Sequence, residues 1–106
     1  MKISSCFFIA LSCLYMSSLW ADSSVPPAQA KQLAAQLCVT CHGTDGISVI
    51  ENYPILAGQR EGYLVKQMKD FRDGIRKDPV MWNMVASLDD ATISALAKYY
   101  ASKKLP

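Results

Sequence analysis

Cys38-Val39-Thr40-Cys41-His42-Gly43, CVTCHG, sets two thiols three positions apart with the only histidine of the chain directly behind them. Thiols at this spacing serve three chemistries: a redox-active dithiol, half of a structural metal site, or the covalent attachment of a cofactor. The surrounding sequence separates them.

Upstream, Ala30, Leu33, Ala34 and Leu37 fall on one helical face, so the spacing predicts a first helix from about Pro27 to Cys38 that delivers Cys38 at its end. Downstream, Gly43 to Gly58 keeps no sustained period and is punctuated by Gly43, Asp45, Gly46, Asn52, Pro54 and Gly58. A structureless stretch of that length inside a small domain usually wraps something or does something. A second helix is predicted from about Arg60 to Arg72, with Leu64, Met68 and Phe71 on one face, Tyr63 beside them and Gly74 as its stop. Ile75 to Ser87 again reads as irregular. A third helix starts on Asp89 or Asp90 and shows Ile93, Leu96, Ala97 and Tyr100 on one face with Tyr99 flanking, closing at Lys103 and Lys104. No segment alternates as a strand would. The expected class is all-α, three main helices with two long loops.

The first residues read as an address. Lys2 precedes an apolar run from Ile3 to Leu19 broken only by small or polar residues, and Ala21 stands before Asp22-Ser23-Ser24. The expectation is a signal peptide over residues 1–21, cleaved after Ala21, a flexible lead-in over 22–27 and one domain over 28–106. A retained membrane anchor and lipidation at Cys13 are the alternatives. Without Lys2, ten Lys and Arg face nine Asp and Glu, a near-neutral balance that provides no basic stripe for nucleic acid. Of the four cysteines only Cys38 and Cys41 lie beyond the leader. So short a chain needs a cofactor, a metal or a staple to complete its core.

A thioredoxin-like dithiol requires its first cysteine at a helix N-terminus within a βαβ context, and neither is predicted here. A structural zinc site requires four ligands, normally from two spaced pairs, and the sequence offers one pair and one histidine. Covalent haem attachment uses all three residues. Two thiols at this spacing can add to the two vinyl groups of a haem, and the adjacent His42 then reaches the iron. A large apolar ring also supplies the missing centre of the core.

The stretches CVTCHGTDG (38–46), YPILAGQREGYLVKQMKDFRDGIR (53–76), MWNMVASLDD (81–90) and ISALAKYYAS (93–102) together resemble the small class I cytochromes c. The chain is similar to one domain of the bacterial periplasmic cytochromes that often occur as two-haem tandems. The resemblance covers nearly all of residues 28–102, and only the motif at Cys38 to His42 is highly specific alone. It implies the cytochrome c fold around one covalent haem c, with Cys38 and Cys41 as thioethers and His42 as an iron ligand. It also implies that the Pro54 carbonyl, twelve residues on, holds the second nitrogen of His42. Ala30 with Leu96 and Tyr99 occupies the positions where the first and last helices cross in similar proteins, with Ala30 where Gly is common.

The sixth iron ligand has three methionine candidates. Met68 is accounted for by the core face of the second helix. Met81 and Met84 both lie in the second irregular stretch. In similar domains the ligand stands seven positions before the leucine that leads into the last helix, which favours Met81 before Leu88 and leaves Met84 as runner-up. Arg76 and Lys77 could meet haem propionates, although a loop charge cluster is usually solvated.

An iron held by His and Met has no open position and a raised potential. The implied function is a periplasmic one-electron carrier rather than an enzyme. Its partners would be transient redox proteins, such as an oxidase, a quinol-oxidising complex or a dehydrogenase. Membrane contact would come only through partners or an uncleaved N-terminus. The alternatives are an electron-accepting subunit of a periplasmic dehydrogenase, or a haem sensor or peroxidase with a displaceable ligand.

Overall fold

The structure, a computed structural model, describes residues 23–106. The leader, the anchor alternative and Cys13 lie outside the described residues.

Among the described residues five helices follow in order: α1 Pro27–Leu37, α2 Val39–His42, α3 Glu61–Arg72, α4 Pro79–Val85 and α5 Asp90–Ala101, with a 3-10 turn at Thr44–Gly46. Among the described residues there is no strand, as the sequence predicts. Pro27 opens α1, where a missing N–H costs nothing and the fixed φ already suits the helix. The Pro26 carbonyl accepts from the amides of Gln29 and Ala30. The predicted face is the buried one, with Ala30 and Ala34 each 1 % exposed.

The first helix stops one residue earlier than predicted. Cys38 is its cap, and its carbonyl accepts from His42 N at 2.9 Å, so one further turn, α2, carries the rest of the motif. Gly43 ends that turn at φ 79°. A Cβ there would stand 2.1 Å from the Ile47 carbonyl oxygen, which only glycine avoids.

Residues 43–58 are irregular as expected, but tied down. The Gly46 carbonyl accepts from both Leu56 N and Ala57 N, at 2.8 and 3.1 Å, and Gly58 N donates to Tyr100 O at 3.0 Å. The loop is thereby closed on itself and pinned to α5. α3 buries Leu64 and Phe71 with Met68 packed at the core edge, and Gly74 follows it at φ 76°. Tyr63, expected beside that face, is half exposed.

The largest departure from expectation is α4. Residues 79–85 form a helix, not a loop, because Pro79 fills its first turn and the Asp78 carboxylate accepts from Met81 N at 2.9 Å. A helix this short has no room for a periodic signal, so the Asp-Pro start was the only trace of it in the sequence.

Asp89 caps α5 by accepting from Thr92 N at 2.8 Å, and the helix buries Ile93, Leu96, Ala97 and Tyr100. α5 packs on α1 and on α3, and α4 packs on α3. Ala34, Leu64, Leu96, Ala97 and Tyr100 form the central cluster. Burying a side chain such as Leu96 stabilises by about 2 kcal/mol, and the small Ala30 and Ala34 permit the approach of α1 to α5. Tyr99 is half-buried at that junction. At the far end, Arg72 and Lys69 of α3 both reach Asp90, at 2.8 and 2.9 Å, and Arg72 also donates to Leu88 O at 3.1 Å.

Candidate haem-attachment site

Cys38, Cys41 and His42 are related as i, i+3 and i+4 along one continuous rise of helical backbone, so their side chains leave on the same side. Cys38 and Cys41 are half-buried and not joined in a disulfide. Burial pushes the Cys38 thiol above its usual pKa, with the nearby Tyr100 hydroxyl acting in the opposite direction. The Cys41 carbonyl accepts from Ser48 Oγ at 3.1 Å, which fastens the turn to the loop that follows.

His42 is 6 % exposed. Its Nδ1 lies 2.8 Å from the Pro54 carbonyl oxygen. A carbonyl can only accept, so Nδ1 carries the proton, and in the neutral ring Nε2 then presents a lone pair. No described residue hydrogen-bonds to Nε2. Tyr53 meets the ring edge-on, with centroids 6.4 Å apart and planes at 64°.

The two candidate methionines come from a separate helix. Met81 and Met84 lie one turn apart on α4 and are both half-buried. Their helical setting replaces the loop expected from the sequence. Arg76 is engaged on the protein itself, stacked 4.6 Å over the Phe71 ring and donating to Gln67 Oε1 at 2.7 Å.

This donor set fits a covalent haem. It provides two free thiols on one turn and one imidazole whose Nε2 has no hydrogen-bond partner among the described residues. It also provides more apolar surface than the protein covers, with Ile50, Tyr53, Ile55, Val80 and Trp82 between 37 % and 50 % exposed. No group of three or more His, Cys, Asp or Glu among the described residues could hold a bare metal ion.

Sequence reasoning missed three contributors. Ser48 and Tyr53 act through contacts across an irregular loop that leave no local pattern. Tyr100 was read only as a core residue, yet its hydroxyl is buried without a hydrogen-bond partner, and burial together with the Cys38 thiol holds the phenol far above its usual pKa.

Residues 27–103 match the cytochrome c family. The chain is 45 % identical to cytochrome c4 of Pseudomonas aeruginosa over 78 residues, 74 % of this chain and 39 % of that protein. It is 36 % identical to the thiosulfate dehydrogenase electron acceptor of Thiomonas intermedia over 95 residues, 89 % of this chain and 41 % of that protein. Among solved structures, reduced recombinant cytochrome c4 from Pseudomonas stutzeri superposes with a TM-score of 0.62 at 30 % identity, over 76 % of this chain and 51 % of that one. The chain thus spans about two fifths of the length of these curated relatives. The family binds haem c covalently, with its iron, and this chain has the paired cysteines at Cys38 and Cys41. The chain belongs to the cytochrome c family of electron-transfer proteins.

Proposed function

We propose that this chain is a single-haem electron carrier in which Cys38 and Cys41 form the two thioethers and His42 Nε2 and Met81 hold the iron. Bound there, haem c supplies a one-electron couple between ferrous and ferric iron. The observation that carries the reading is the 2.8 Å hydrogen bond from His42 Nδ1 to the Pro54 carbonyl. That bond fixes the tautomer, orients the ring and makes Nε2 a stronger donor to a metal. Its partner is the residue that the resemblance assigned.

Met81 would be the second protein ligand, by its spacing from Leu88. α4 holds it on a capped helix rather than on a free loop, which limits how far the thioether can move. Met84, one turn on, packs beside it and is the runner-up. With His42 and Met81 both holding the iron, no position would be left open to a substrate, and the residues around the haem edge would serve to orient a partner. Peroxide chemistry would want a second histidine as distal acid–base group, and His42 is the chain's one histidine.

The domain boundaries follow the same reading. Residues 1–21 act as a cleaved export signal, 22–27 as a lead-in and 28–106 as the haem domain, which places the carrier in the periplasm among transient redox partners. A second reading, an electron-accepting subunit of a dehydrogenase, is favoured by relatives named as thiosulfate dehydrogenase electron acceptors. Native size in a periplasmic extract separates the two, since a free carrier elutes at the size of the chain alone.

The ligand assignment is tested by spectra of the reduced protein with and without carbon monoxide. A filled sixth position resists carbon monoxide, and ready binding by the wild type would overturn it. Met81→Ala should lose the Met-to-iron absorption band, whereas its loss in Met84→Ala alone would transfer the role to Met84.

A further inference from the structure

Tyr100 is 3 % exposed, and its hydroxyl is the only fully buried side-chain polar atom among the described residues with no hydrogen-bond partner. A buried hydroxyl left in that state costs about 1–3 kcal/mol, and native interiors seldom leave one so. The ring has little freedom to turn away. A Cβ on Gly46 would stand 2.7 Å from its Cδ1, and Tyr99 meets it edge-on with centroids 5.0 Å apart. Phenylalanine would fill the same space without the cost.

Cys38 packs against the core cluster that contains Tyr100, and its sulfur is the foremost of the polar groups acting on the phenol, ahead of Tyr99 and Asp45. A thiol can donate as well as accept, but a thioether has no proton and can only accept. Once Cys38 is alkylated, any bond between the two must run from the phenol O–H to the sulfur.

We propose that Tyr100 is a positioning residue whose hydroxyl donates a hydrogen bond to the Cys38 thioether sulfur and holds that edge of the haem in place. The proposal rests on the reading that Cys38 is a point of haem attachment. It resolves the orphaned hydroxyl and explains why a tyrosine stands at a position whose packing a phenylalanine would satisfy. The bond also sets the positive end of the O–H dipole toward the haem edge, inside an apolar core. That orientation favours the electron-richer reduced state, so Tyr100 raises the reduction potential.

The test uses the haem-bearing wild-type protein and Tyr100→Phe. In the reduced wild type, the Tyr100 hydroxyl proton should appear in proton NMR as a slowly exchanging signal with cross-relaxation to the Cys38 β protons. In Tyr100→Phe the potential should fall while the Met-to-iron band and resistance to carbon monoxide are retained, which a purely packing role would not produce. A hydroxyl proton in fast exchange, or one close to a different acceptor, overturns the proposal without need of the variant, as does an unchanged potential in the variant. Haem staining after denaturation separates the premises. Wild-type protein without covalent haem removes the attachment reading and the proposal together, whereas covalent haem without the Cys38 cross-relaxation overturns the proposal alone.

Discussion

The Asp78 carboxylate accepts a hydrogen bond from the Met81 amide at 2.9 Å, so the residue that starts α4 also grips the backbone of the proposed iron ligand. Removing an N-cap acceptor costs a helix about 1 kcal/mol, and α4 has only seven residues over which to absorb the loss. Asp78→Ala should leave haem attachment intact and raise the fraction of reduced protein that binds carbon monoxide by roughly fivefold, the equivalent of about 1 kcal/mol. Asp78→Ser should restore most of the resistance. Carbon monoxide titration of the three proteins is the measurement, and equal titrations would detach the cap from the ligand.

That relationship also marks where the sequence was silent. The long helices were legible because burial repeats over three turns: Ile93, Leu96, Ala97 and Tyr100 were expected to be inside and are. α4 has too few residues to repeat anything. His42 and Pro54 could be paired from sequence only through the family resemblance, since the eleven residues between them follow no period and the contact depends on how the loop closes through Gly46. Whether a buried residue's polar tip finds a partner is likewise a property of the packed core. The Tyr100 ring was therefore foreseeable and its lone hydroxyl was not.

Acid should loosen the far end of the helix pair. Hydrogen bonds from Lys69 and then Arg72 hold the Asp90 carboxyl below the usual carboxylate range, and the Thr92 side chain and then the Thr92 amide do the same for Asp89. A carboxyl whose folded pKa is depressed stabilises the fold fully above its unfolded value, about 3.9, and loses that contribution as pH falls through the lower folded value. Stability should therefore be flat above about pH 5 and decline below pH 4. Asp90→Asn should begin less stable at neutral pH and show a shallower acid decline, and added salt should shrink the difference because the pair is exposed. Denaturant midpoints of the haem-bearing proteins between pH 3 and 7 decide it. Parallel curves for wild type and Asp90→Asn would remove Asp90 from the acid response.

The glycines divide by what surrounds them. Gly43→Ala forces a side chain into a left-handed backbone and into the Ile47 carbonyl, and should destabilise by about 3 kcal/mol or prevent haem attachment. Gly46→Ala meets the Tyr100 ring and should displace it, with a change in the aromatic circular dichroism. Gly62, on α3, has nothing within 4 Å of its Cβ position, so Gly62→Ala should stabilise by about 0.5–1 kcal/mol through helix propensity alone. A series in which Gly62→Ala proved as harmful as Gly43→Ala would contradict the packing described for α3.

The crossing of α1 over α5 depends on a small residue at its contact, and Ala30, at 1 % exposure, leaves no space to grow. Ala30→Leu adds three carbons to a filled site, so the helices must part, at a cost of about 1–3 kcal/mol or more. Ala30→Gly has the opposite balance: it allows closer approach but loosens an interior helical position by about 1 kcal/mol. Both substitutions lie away from the proposed ligands, so the Met-to-iron band should persist while the unfolding midpoint falls, further for leucine than for glycine. If Ala30→Leu instead left the midpoint unchanged and released the methionine, α1 would be supporting α4 rather than bracing α5, contrary to the packing of α4 on α3.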